Sequence, residues 1–126
     1  MHFARAIPII RIFSEEKARE FYVDFLGFTI DWEHRFEANT PLYAQVRRSD
    51  LILHLSEHYG DATPGSTIYV PMQGIDALHA ELQRKDYKYG KPGVEEEPWG
   101  KVLETIDPFG NRIRFCESPE EEKREV

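Results

Sequence analysis

The chain has 126 residues, 40% hydrophobic and 13% aromatic, enough for one compact domain with a real core and too rich in rings for a disordered segment. Its 16 basic and 23 acidic side chains give a formal charge of −7, which excludes the concentrated positive surface of a nucleic-acid binder and would attract a cationic ligand. One cysteine, Cys116, leaves no internal disulfide, and no apolar run approaches the about 20 residues of a membrane helix.

The opening Met1-His2-Phe3-Ala4-Arg5 has no secretory-type apolar stretch, so the expected location is the cytoplasm, with no membrane partner. Residues 7–13, Ile-Pro-Ile-Ile-Arg-Ile-Phe, read as a first strand. Ser14 is placed to cap a helix, with Glu15 and Glu16 in its electropositive first turn. Ala18, Phe21, Tyr22 and Phe25 then fall at i, i+3, i+4 and i+7, one apolar face, and Gly27 ends the helix. Three strands follow, at 29–35, 42–48 and 51–56, with turns at 39–41 and 48–50 between them.

Residues 58–65, His-Tyr-Gly-Asp-Ala-Thr-Pro-Gly, have the composition of a surface linker, and after them the plan starts again. A strand at 66–71 precedes a helix with Ile75, Leu78, His79 and Leu82 at the same spacing as in the first. A short strand at 87–89, a loop rich in Pro, Gly and Glu, a strand at 101–106, the turn Asp107-Pro108-Phe109-Gly110-Asn111 and a last strand at 112–116 complete the second unit. The charged tail from Glu117 to Val126 is expected to fray. The result is an α+β chain of two βαβββ modules, at about 4–57 and 66–117. A βαβββ unit has a curved sheet with one face covered by its helix, and pairing two such units encloses a concave surface suited to a ligand.

Phe21-Tyr22 with Leu26-Gly27-Phe28, and the turn Asp107-Pro108-Phe109-Gly110-Asn111 before the last strand, resemble the vicinal-oxygen-chelate superfamily, which includes glyoxalase I, extradiol dioxygenases, fosfomycin-resistance enzymes and bleomycin-binding proteins. The resemblance spans residues 4–117 and implies curved mixed sheets of the glyoxalase/bleomycin-resistance/dihydroxybiphenyl-dioxygenase fold, in a single domain over residues 1–126. Pro8, Glu97-Pro98-Trp99-Gly100 and Gly74-Ile75-Asp76-Ala77-Leu78 look like the bleomycin-resistance branch.

Enzymes of the superfamily hold a divalent metal with four inward strand residues. By resemblance these positions fall at Ile7, His54, Thr67 and Arg114. Only His54 can ligate, and Arg114 puts a permanent positive charge where a cation would sit. The remaining histidines, His2, His34, His58 and His79, show neither the i, i+4 helical pair nor the Cys/His spacing of metal sites. No nucleophile elbow or phosphate-cradling loop is present, and Cys116 reads as a small core residue. No cofactor and no catalytic residue is expected.

What remains is binding by stacking and burial. The resemblance places ligand contacts at Trp32, Phe36, Tyr69 and Trp99, with His54 on the same inner surface. Asp31 and the run Glu95, Glu96 and Glu97 would attract a cation. The implied function is metal-independent sequestration of a bleomycin-type glycopeptide or a similar aromatic, cationic small molecule, conferring resistance, in a homodimer. The alternatives are a metal-dependent glyoxalase- or dioxygenase-like enzyme built around His54, and an interaction module without a small-molecule ligand.

Overall fold

The structure is a computed structural model and describes residues 1–88 and 90–119. The chain divides into two compact units, one of Met1–Ser66 with Pro108–Asn111, the other of Thr67–Asp107 and the chain from Arg112 onward. Glu120 to Val126 of the charged tail lie outside the described residues.

In the first unit, strands β1 (Ile9–Arg11), β2 (Thr29–His34), β3 (Tyr43–Arg48) and β4 (Leu51–Ser56) form a sheet in the order β1-β4-β3-β2. β1 runs parallel to β4, and the other pairs are antiparallel. Helix α1 (Glu15–Ala18) starts where Ser14 predicts, the serine hydroxyl accepting from the Lys17 N–H at 3.1 Å. The helix then widens into a π-helical segment at Arg19–Phe25, ending with the Leu26 N–H donating to Phe21 O five residues back. Gly27 (φ 76°) supplies the left-handed residue that stops it. Ala18, Phe21, Tyr22 and Phe25 are all buried, as their spacing predicts, together with Ile10, Ala44, Val46, Leu53 and Leu55 from the sheet and Ile12 just after β1.

The second unit repeats the order as β5-β8-β7-β6, from β5 (Thr67–Pro71), β6 (Val94–Glu97), β7 (Gly100–Ile106) and β8 (Arg112–Glu117), again with the outer β5–β8 pair parallel. Helix α2 (Ile75–Lys85) packs on β6, β7 and β8, burying Ile75 and Leu82 with Leu103, Ile113 and Phe115, whereas Leu78 and His79 are only half-buried. The two mixed sheets with their few helices are the expected fold class.

Two expectations for this unit need correction. Tyr87 and Lys88 are not strand, and Tyr89 lies outside the described residues. The sixth strand instead holds Glu95, Glu96 and Glu97, expected in a loop. Pairing with β7 outweighs the weak strand preference of glutamate, and charged side chains suit an edge strand.

The turn that carries the family resemblance has a structural function in the first unit. Asn111 is 2% exposed, its Oδ1 accepts from the Gly65 and Ser66 N–H groups at 3.1 and 3.2 Å, and its Nδ2 donates to Arg11 O at 2.8 Å. Phe109 packs its ring 6.1 Å from that of Phe13. A side-chain amide that both donates and accepts thus satisfies three backbone groups at once.

Candidate ligand-binding site

The α1 side of the first sheet is filled by the core, so its chemistry lies on the other face. Period-two alternation sends Tyr43, Gln45 and Arg47 of β3 to that open face, with His54 of β4 and Ile9 of β1 alongside in register. β2 joins them through a β-bulge. Its register slips between Ile30, opposite Val46, and Trp32, opposite Gln45, leaving Asp31 as the extra residue. The bulge lets Asp31 and Trp32, adjacent in sequence, both reach the β3 side chains of the open face.

Trp32 stacks on Tyr43 with ring centroids 6.0 Å apart and planes 11° from parallel. His54 meets both rings edge-on, at 5.3 Å from Trp32 and 5.2 Å from Tyr43. A hydrogen-bond chain runs beneath them. Tyr43 Oη lies 2.8 Å from His54 Nδ1, His54 Nε2 lies 2.8 Å from Gln45 Oε1, and Gln45 Nε2 donates to Asp31 Oδ2 at 2.8 Å. Arg47 Nε closes the chain on the same Asp31 oxygen at 3.2 Å.

The ends of this chain assign the protons within it. Hydrogen bonding from Gln45, with the charge of Arg47, holds the Asp31 carboxyl below its ordinary range, so it is an ionised acceptor. Gln45 must therefore turn its NH2 to Asp31 and its carbonyl to His54, which in the neutral ring puts the proton on Nε2. Burial, with a contribution from Asp61, pushes the Tyr43 phenol up, so its hydroxyl stays protonated and donates to Nδ1. The imidazole is thereby fixed in one tautomer and one orientation.

The residues do not fit a divalent metal. Ile7, Thr67 and Arg114, at the positions that the resemblance implies, supply no suitable ligand, and His54 has both ring nitrogens engaged. Among the described residues no three of His, Cys, Asp and Glu come together in a metal-binding group.

Of the residues expected at the site, Asp31, Trp32 and His54 are brought together on this face. Asp31 is already paired with Arg47 and Gln45, which weakens its expected pull on a cationic ligand. Phe36 lies beyond the end of β2, 78% exposed, against His34 at 4.9 Å and His58 at 6.3 Å. Tyr69 on β5 and Trp99 in the β6–β7 turn belong to the second unit and are each about half-exposed. Tyr43, Gln45 and Arg47 were missed by sequence reasoning, although their alternation on one strand was a usable signal.

Two hollows in the first unit fit an organic ligand less well. One, under α1 and lined by Ile12, Ala18, Val23 and Leu55, has room for about one water. The other, an open cleft lined by Glu15, Arg35, Thr40 and Glu57, is occupied by its own contacts: Arg35 pairs with Glu15, lies 3.9 Å from Glu57 and donates to Thr40 O.

Comparison with known proteins adds to this geometry. The family model described as glyoxalase superfamily protein matches residues 1–122. A search of the curated proteins returned no match. Among solved structures, the bleomycin-binding protein of the bleomycin producer Streptomyces verticillus, complexed with copper(II)-bleomycin, is 29% identical, with a TM-score of 0.67 over 94% of this chain and 99% of that one. The antibiotic-binding protein TnmS3 from a Streptomyces species is 25% identical, with a TM-score of 0.67 over 94% of this chain and 100% of the other. A bleomycin resistance determinant encoded on transposon Tn5 shares the fold at 18% identity, with a TM-score of 0.71 over 92% and 98% of the two chains.

Proposed function

We propose that this chain, which belongs to the glyoxalase superfamily, sequesters an aromatic small molecule of the antibiotic kind by stoichiometric binding, with no bond made or broken. The observation that carries this reading is the open face of the first sheet, where Trp32 and Tyr43 stack and His54, hydrogen-bonded at both ring nitrogens, meets both rings edge-on. Each additional stacked ring would contribute about 0.5–1.5 kcal/mol beyond the area it covers. Similarity to a bleomycin-binding protein and to an antibiotic-binding protein supports the same class of function.

In this reading Trp32, Tyr69 and Trp99 contact the ligand, His54 and Asp31 hold the Trp32–Tyr43 platform in place, and Phe36 contributes from the end of β2. The protein acts as a homodimer, a form that sedimentation equilibrium of the purified chain would test.

Titration of the purified protein with bleomycin and with divalent metal ions, side by side and with or without EDTA, is the direct test. The expected result is quenching of tryptophan emission that EDTA leaves unchanged, with Trp32→Ala and Trp99→Ala each weakening binding several-fold. Metal retained at one ion per chain, or no response to any of a panel of aromatic antibiotics, would overturn the reading. An unchanged affinity in Trp99→Ala would remove that residue from the site.

A further inference from the structure

The open face of the second sheet differs in charge from that of the first. Arg112 and Arg114 stand two residues apart on β8, on the side opposite the buried Ile113 and Phe115, and flank a single carboxylate, Glu104 of β7. Arg112 Nη1 donates to Glu104 Oε2 at 2.9 Å, and Arg114 donates to Oε1 from Nε at 3.2 Å and from Nη2 at 2.9 Å. Two permanent cations share one anion, and hydrogen bonding from Arg114 and then Arg112 holds that anion below the ordinary glutamate range. The trio carries one net positive charge, and three of the pair's N–H donors are engaged by Glu104.

The neighbours in register complete a platform. Tyr69, 53% exposed, pairs with Arg114 across β5 and β8, while Thr67 and Ile106 flank Arg112, the latter 48% exposed. Glu95 and Glu97 of β6 register with Val102 and Gly100, on the same open face in the two rows beyond the Arg114–Glu104 pair. Screening in physiological salt confines surface interactions to about 8 Å, so the local pair, not the net charge of the chain, decides what approaches.

We propose that this face receives the acidic group of an aromatic ligand, a carboxylate, sulfonate or phosphate, on Arg112 and Arg114, with the ring against Tyr69. The proposal rests on the reading of the chain as a binder of aromatic small molecules and refines it. The ligand is an aromatic acid, where the overall charge alone pointed to a cation. Glu104 is its internal competitor, pre-aligning the two guanidinium groups and yielding donors when a second anion arrives. Planar guanidinium forks suit such bidentate acids better than a point charge would.

Two fluorescent probes with the same rings separate charge from stacking: 8-anilinonaphthalene-1-sulfonate and its uncharged counterpart N-phenyl-1-naphthylamine. The full-length chain should bind the sulfonate about tenfold or more tighter at low salt, with the preference shrinking as salt rises. The double variant Arg112→Ala/Arg114→Ala should lose the preference and keep its affinity for the neutral probe. Glu104→Gln, which removes the competitor and leaves both arginines, should raise sulfonate affinity several-fold without moving the neutral probe. Equal binding of both probes by the native chain, or a preference that survives the double variant, would overturn the proposal alone. If the double variant does not fold, an unmoved probe ratio in Glu104→Gln overturns it. Binding of neither probe would sink it together with the reading it rests on.

Discussion

The two sheets have the same strand order and the same helix-covered side, yet their open faces have diverged in chemistry. On the first, rings and an imidazole are joined by directional hydrogen bonds that end on one ion pair. On the second, the centre is ionic, two arginines around a glutamate, with the exposed ring of Tyr69 in register beside it on β5. The difference shows where the constraint lies. The helix-covered side must bury apolar surface to hold the unit together, so Leu53 and Leu103 are both wholly buried. The open side carries no such requirement and is available for ligand chemistry.

The strongest challenge to this comparison is to cut the two cores. Leu53→Ala and Leu103→Ala should each cost about 2–5 kcal/mol, measured by urea denaturation, because both sites are fully enclosed. A cost near zero in either would break the claimed equivalence of the two helix-covered sides. Next in size is Tyr43→Phe on the first open face. It should cost about 1 kcal/mol by removing one hydrogen bond and should shift the 15N resonances of the His54 ring, since Nδ1 loses its donor. Unmoved ring shifts would mean that the phenol does not set the tautomer.

The smallest expected effect distinguishes the second face. Glu104 should titrate below the ordinary glutamate range by NMR, and Arg114→Ala should move it back upward. A carboxylate depressed in the folded state stabilises the fold above its unfolded pKa, and that stability is lost as the pH falls through the folded value. The Arg112–Glu104–Arg114 contribution is therefore present at neutral pH and disappears only in acid. A titration midpoint unaffected by Arg114→Ala would show that solvent has already screened the pair.

Much of this was legible in the amino acids. Ser14, the spaced apolar residues of the first helix and Gly27 all do what their chemistry dictates, and the repeat of strand and helix patterns yields the two-sheet fold. The sixth strand was hidden because Tyr87 and Tyr89 carry a stronger strand signal than three glutamates, whereas pairing with β7 decides the matter. The bulge at Asp31 was hidden for a different reason. β2 buries almost none of its side chains, so no alternation of apolar and polar residues marks where the register slips. Without the bulge, Asp31 and Trp32 point to opposite faces, and the meeting of Asp31 with Gln45 cannot be inferred. Of the arginine pair only Arg114 was visible, as a misfit to a metal site. Its positive meaning needs Glu104, eight residues from Arg112 along the chain and brought beside it by the β7–β8 hairpin.

Asn111 gives the first module a debt to the far end of the polypeptide. A fragment severed at Ser66 would contain every strand of its own sheet and still leave Gly65, Ser66 and Arg11 without their amide clasp. The first half-gene should therefore yield insoluble or loosely structured product when expressed alone, and supplying residues 108–111 in trans or by circular permutation should restore order.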